Sequence, residues 1–250
     1  MVDAAHRQPG EGAPEHGPDE GRARRSEKRG SFLRELPVIL VAALVLSLLI
    51  KSFLVQAFFI PSGSMQDTLA IGDRVFVNKL AARVGSIERG DIVVFRDPSD
   101  WLSPTESPGS GGLRDAVRGG LEFVGLAPSS KGDDLIKRVV GVGGDTVACC
   151  DAGGNVTVNG RPLEETPYLF PGNEPSASTF SVTVPIGSLW VMGDHRAESL
   201  DSRAHIGEPG GGFLPVDNVI GRAFVVVWPF DRFGGLERPS TFAQPGLDGD

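Results

Sequence analysis

Residues 135–162 read LIKRVVGVGGDTVACCDAGGNVTVNGRP, and this stretch decides the fold class. Its apolar runs are short, rich in valine and separated by glycine and aspartate, which predicts strands over residues 135–142, 145–150 and 156–158. Asn159-Gly160 follows the third run directly and supplies the two positive-φ positions of a two-residue hairpin turn. Similar runs predict further strands over residues 74–80, 91–96, 180–184, 189–192 and 220–228. The chain of 250 residues holds 34 Gly and 19 Pro, a composition that disfavours a helical bundle and suits short strands joined by turns. The expected class is mainly β, built of antiparallel sheets.

The N-terminal region obeys different rules. Residues 1–35 are polar and charged, with almost nothing apolar before Phe32, and are expected to be a disordered tail. Residues 36–50, LPVILVAALVLSLLI, carry no charge. Extended to residue 54 they would make about 28 Å of helix, nearly the thickness of a bilayer core. Pro37 falls in the first turn, where its missing N–H is harmless, and Lys51 can reach out to the interface. A single transmembrane helix over 36–54 is therefore expected. Arg22, Arg24, Arg25, Lys28, Arg29 and Arg34 precede it, against Glu27 and Glu35, which places the N-terminus in the cytoplasm and residues 55–250 outside. A cleavable signal ending at Val55-Gln56-Ala57 competes with this reading, but the leading region is too long and the apolar run exceeds an ordinary signal core.

Within 55–250 the expected core comprises about 55–147 and 183–238. A small β-hairpin subdomain is expected over about 148–182, and a Ser-, Pro- and Gly-rich mobile insertion over about 98–134. Trp101 and Phe123 of that insertion read either as lipid contacts or as parts of a loose surface excursion. Residues 240–250 are polar and are expected to fray.

Charge and ligand counts exclude some functions. With 24 basic and 32 acidic residues the net charge is -8, which argues against a nucleic-acid partner. The histidines, His6, His16, His195 and His205, and the adjacent Cys149 and Cys150 offer no zinc-type spacing. Cys149-Cys150 reads as a vicinal disulfide or an intermolecular pair, or at least as readily as two inert or surface thiols at a strand end. No HExxH, GxSxG or SxxK occurs, so the commonest hydrolase signatures are missing.

Five segments remain that carry chemistry. They are Ile60-Pro61-Ser62-Gly63-Ser64-Met65; Gly72-Asp73 leading to Lys79; Arg89-Gly90-Asp91 leading to Phe95; Ile136-Lys137-Arg138 with Gly144-Asp145; and Gly193-Asp194-His195-Arg196 through Ser199, Asp201, Ser202 and Arg203. In this order behind an apolar anchor, they resemble the bacterial type I signal peptidases, membrane-bound serine proteases that remove signal peptides from exported proteins. The resemblance spans about residues 36–230 and implies a signal-peptidase-like β fold. It implies Ser64 as nucleophile, Lys137 as general base, Ser62 as side-chain donor of the oxyanion hole alongside the Ser64 N–H, and Ser199 as the serine that orients the lysine. Asp201 and Arg203 match the family's supporting ion pair, and Asp194, Arg196 and Ser202 match further residues of that block. It implies no metal or cofactor. The partners it implies are secretory preproteins cut after Ala-x-Ala, the lipid bilayer and transiently the export translocon, for a protein expected to be a monomer in the bacterial plasma membrane.

Two positions depart from the family pattern: Asp67 stands where proline is common, and His195 where asparagine is common. With Asp194 and Asp201 nearby, His195 leaves a Ser-His-Asp arrangement as an alternative. A Ser/Lys pair demands something specific of its lysine. An ammonium with the ordinary pKa of about 10.4 cannot accept the serine proton at neutral pH, so Lys137 must be desolvated. Leu135, Ile136, Val139 and Val140 around it are consistent with that, whereas a solvent-facing strand lysine is the ordinary alternative.

Overall fold

The computed structural model describes residues 35–47, 54–84, 87–98, 101 and 134–248. Residues 35–47 form a helix, α1, whose side chains are exposed, Val38, Ile39, Leu40 and Leu44 among them. The expected tail (1–35) lies almost wholly outside the described residues, and the expected membrane helix (36–54) only partly within them. Among the described residues no helix is long and apolar enough to cross a membrane.

From Val55 onward the described residues are mainly β structure, as expected. The strands are β1 (Val55–Phe59), β2 (Arg74–Asn78), β3 (Ile92–Arg96), β4 (Asp134–Val142), β5 (Thr146–Cys149), β6 (Val156–Val158), β7 (Arg161–Pro162), β8 (Phe180–Thr183), β9 (Ser188–Met192), β10 (Leu214–Pro215), β11 (Val219–Trp228) and β12 (Gly234–Gly235). The larger sheet runs β1-β2-β11-β3-β4-β9-β10, with β12 paired to β11, and the smaller runs β7-β6-β5-β8. All pairings are antiparallel.

Period-two alternation explains how the larger sheet is buried. Ile92 and Val94 of β3 join a cluster with Ile60, Met65, Leu69 and Ile136, while Val93 and Phe95 join a second with Val139, Leu189 and Val191. A strand flanked on both faces by core reads as the unbroken run IVVF. β4 contributes to three clusters through Ile136, Val139 and Val140, so its middle is dry on every side. The Asn159-Gly160 turn closes β6 onto β7 with φ of 52° and 77°, as its composition requires.

Several expectations need correction. The strand predicted over residues 74–80 stops at Asn78, just before α2 (Leu80–Arg83), whose Leu80 N–H is bonded to Asn78 Oδ1. Phe58 and Ile60 are core and Phe59 between them is exposed, the alternation of a strand paired to β2. Trp101 is 4% exposed, edge-on to Phe95 and stacked on His205 at 4.6 Å, so it is neither a lipid contact nor part of a loose excursion. Residues 102–133 of the expected insertion lie outside the described residues.

The described part of the C-terminal segment, residues 240–248, is docked rather than frayed. Phe242 and Leu247 are buried with the smaller sheet, and the Phe242 ring lies where a Cβ on Gly90 would stand (2.8 Å). Asn159 Nδ2 donates to the Leu247 carbonyl, and Arg89 bridges Asp145 and Asp248. Polar composition misled here because two apolar side chains and a few polar bonds suffice to dock a short strap. Cys149 and Cys150 are joined as a vicinal disulfide.

Candidate active site

Ser64 sits in the turn between β1 and β2, and Lys137 in the middle of β4 opposite Val93. The two are 73 residues apart in sequence, yet Lys137 Nζ donates to Ser64 Oγ at 2.5 Å. Met65 and Leu69, fully buried, anchor the turn, and a Leu69 N–H to Met65 carbonyl bond tightens it. Gly63 does not adopt positive φ, and a Cβ there would meet only the end of the flexible Gln66 side chain, at 3.1 Å. Asp67, where the family pattern often has proline, has φ 85°, a value the pyrrolidine ring forbids. That departure belongs to the turn's geometry.

Lys137 is 3% exposed. Burial pushes its ammonium down to about 8 from an ordinary 10.5, against the pull of the Asp201 and Asp194 carboxylates and with some help from Arg203. At pH 7 this leaves roughly a tenth of the amine neutral, about three-hundred-fold more than an unperturbed lysine. The solvent-facing alternative is thereby excluded. With the amine neutral, the same contact becomes a Ser64 hydroxyl donating to Nζ, the arrangement a general base requires. Ser62 Oγ lies 3.5 Å from Ser64 Oγ, on the same turn.

The block from Gly193 to Arg203 surrounds this pair. His195 N–H donates to the Ser64 carbonyl at 3.1 Å, which ties the block to the turn. Gly193 permits that approach, since a Cβ on it would stand 2.4 Å from the Ser64 carbonyl oxygen and 2.3 Å from Ser199 Oγ. Asp201 accepts from the Gly193 N–H at 2.9 Å and from Arg203 Nε and Nη2 at 2.9 and 2.8 Å. Burial alone would raise the Asp201 carboxyl; the Arg203 guanidinium and the Gly193 N–H hold it below the usual carboxylate range instead. Asp194 and Arg138 form a second buried pair, Arg138 Nε and Nη2 donating at 2.8 and 2.7 Å. Arg196 pairs with Glu165, and Ser202 bonds the Val191 backbone, closing the loop onto β9.

The Ser199 hydroxyl packs against Gly193 and helps hold the Asp201 carboxyl down, and it is not hydrogen-bonded to Lys137. His195 is likewise not aimed at the serine. Its Nδ1 is 3.0 Å from Gln66 Oε1 and its ring stacks on Phe170 at 4.0 Å, while the hydrogen-bond partners of Ser64 Oγ are Lys137 and Ser62. The Ser-His-Asp alternative therefore lacks its central contact. Among the described residues no group of His, Cys, Asp or Glu is arranged to hold a metal ion.

Sequence reasoning missed three participants. Thr68 Oγ1 donates to Asp194 Oδ2 at 2.6 Å, so one carboxylate joins the serine's turn to the lysine's strand through Arg138. Glu165 and Phe170 come from the segment between β7 and β8 and belong to none of the five motifs. No local signal marks them; only tertiary folding brings them to the site.

The sequence profile of the family described as "Signal peptidase, peptidase S26" matches residues 33–228, a span that contains every residue of this site. A probable signal peptidase I of Mycobacterium leprae (strain TN) is 41% identical over 236 residues, covering 84% of this chain and 81% of the relative. A signal peptidase I of Mycobacterium tuberculosis (strain ATCC 25618 / H37Rv) is 44% identical over 224 residues, covering 82% and 75%. Among solved structures, a signal peptidase I from Enterococcus faecalis V583 is 23% identical with a TM-score of 0.34, over 55% of this chain and 96% of that one. With a family match across most of its length and relatives above 40% identity, the chain belongs to the signal peptidase family, peptidase S26, and is an enzyme of the signal peptidase I kind.

Proposed function

We propose that this enzyme is a membrane-anchored serine endopeptidase that cuts signal peptides from exported preproteins after Ala-x-Ala, with Ser64 as nucleophile and Lys137 as general base. The observation that carries the reading is the buried 2.5 Å contact between Lys137 Nζ and Ser64 Oγ. A lysine beside a hydroxyl is ordinary on a surface. One that is 3% exposed, with its pKa brought down to about 8, is a base at physiological pH.

The chemistry then follows. Ser64 Oγ attacks the carbonyl carbon of the scissile peptide while its proton passes to Lys137 Nζ. The resulting oxyanion is held by the Ser64 N–H and the Ser62 hydroxyl. As the C–N bond breaks, Lys137 returns the proton to the departing amine, leaving an ester on Ser64. Lys137 next takes a proton from water; the hydroxide attacks the ester, and the signal peptide's carboxylate leaves as Ser64 is reprotonated.

The exposed apolar side chains of α1, together with the basic residues before it, support insertion of this end into a bilayer with the catalytic region outside. On this reading Ser64, ten residues beyond the expected membrane helix in sequence, works near the lipid surface, where a membrane-embedded signal peptide presents its cleavage site. The test is mass-spectrometric mapping of the cut in a secretory precursor. Wild type should cut after Ala-x-Ala, and Ser64→Ala and Lys137→Ala should each leave the precursor whole. Cutting by either variant at the wild-type rate defeats the assignment.

A further inference from the structure

One buried charge pair takes no part in these proton transfers. Glu165, between β7 and β8, is 4% exposed and its partner Arg196 5%. Arg196 Nη2 and Nη1 donate to the Glu165 carboxylate at 2.5 and 3.2 Å, and the Tyr168 hydroxyl donates to it at 2.8 Å. Burying two charges is costly for a gain that apolar side chains often match, so what the pair holds in place is informative.

It holds the backbone beside the nucleophile. Arg196 Nε donates to the Gly193 carbonyl at 2.9 Å, while the Gly193 N–H is taken by Asp201. The rest of the segment grips the neighbouring residues in turn. The Phe170 N–H bonds the Asp194 carbonyl, the Phe170 ring covers His195, the Pro175 carbonyl accepts from Arg196, and Asn173 Oδ1 accepts from the Ala197 N–H. Each of residues 194–197 is thus held by residues 165–175, and one of them, His195, fixes the Ser64 carbonyl.

We infer that Glu165, acting through Arg196, is a positioning residue for Ser64, and that residues 165–175 brace the segment against which the nucleophile is set. The smaller sheet is then part of the catalytic scaffold rather than a separate appendage. This inference rests on Ser64 being the nucleophile.

The test compares full-length wild type with Glu165→Gln, Arg196→Lys, the double variant and Ser64→Ala. A serine-acylating inhibitor counts competent sites, and single-turnover cleavage of an Ala-x-Ala precursor is then expressed per titrated site. Glu165→Gln should slow acylation per site by about tenfold to a hundredfold, the scale of a small misplacement of reacting groups. KM should stay close to wild type, and the acid limb should stay at about 8, because Lys137 keeps its own surroundings. The double variant should be no slower than the slower single one. Fewer sites that each work at the wild-type rate would show a merely structural role and overturn the inference, as would additive losses in the double variant. Where Glu165→Gln yields no titratable protein, Phe170→Leu gives the same readout: a severalfold fall per site supports the brace and an unchanged rate overturns it. Cleavage by Ser64→Ala would instead defeat the nucleophile assignment itself, a distinguishable failure.

Discussion

Replacing Lys137 by methionine, which has similar length and no charge, should abolish cleavage and make the protein more stable at neutral pH. The magnitude follows from the burial of the amine. Its pKa is about 8 in the folded chain against 10.5 ordinarily, and each unit is worth about 1.4 kcal/mol, so the folded state bears about 3 kcal/mol for carrying the charge. Above pH 10.5 the amine is neutral in both folded and unfolded chains and costs nothing. Below pH 8 it is charged in both and the whole cost is present; between these limits stability rises with pH. Methionine removes the charge cost but also the bond to Ser64, worth about 1 kcal/mol. The net gain should be about 2 kcal/mol at pH 7, about 1 M in the urea midpoint. At pH 9.5 the charge cost falls to about 1 kcal/mol and the two proteins should unfold together. Equilibrium unfolding of the full-length proteins in non-ionic detergent, followed by fluorescence of the fully buried Trp190, measures the difference. A variant less stable at pH 7, or a difference that does not change with pH, refutes the claim that Lys137 is held dry at an energetic cost.

Three further outcomes are expected. kcat/KM should fall about tenfold per pH unit on the acid side of an apparent pKa near 8, and an inflection near 10.5 in a pH–rate profile would indicate an exposed lysine instead. Gly193→Ala should abolish activity and destabilise the fold by about 1–3 kcal/mol or more, because its methyl would stand 2.4 Å from the Ser64 carbonyl oxygen; inhibitor titration and urea unfolding read both effects. Phe242→Ala should cost about 3–5 kcal/mol in the same unfolding assay, and a cost near zero would show that the C-terminal strap is not part of the core.

Short apolar runs such as IVVF, set off by turn residues, and the Asn-Gly turn made the strands legible, because a run's composition and a turn's backbone angles are local properties. The order of strands in the sheet was not legible. β11 lies between β2 and β3 and the C-terminal strap packs on Gly90, both through contacts between residues far apart in sequence.

The site divides along the same line. Sequence alone, read through its motifs and their family resemblance, singled out Ser62, Ser64 and Lys137, while the local apolarity around Lys137 left a dry and a solvent-facing side chain both open. Only the tertiary structure decided that the amine meets the hydroxyl across 73 residues, that Ser199 packs against Gly193, and that Glu165 and Phe170 belong to the site. A strand's pattern is set by its own neighbours, whereas the depression of an amine's pKa is set by every group that excludes water from it, and those groups come from segments that meet only when the chain is folded.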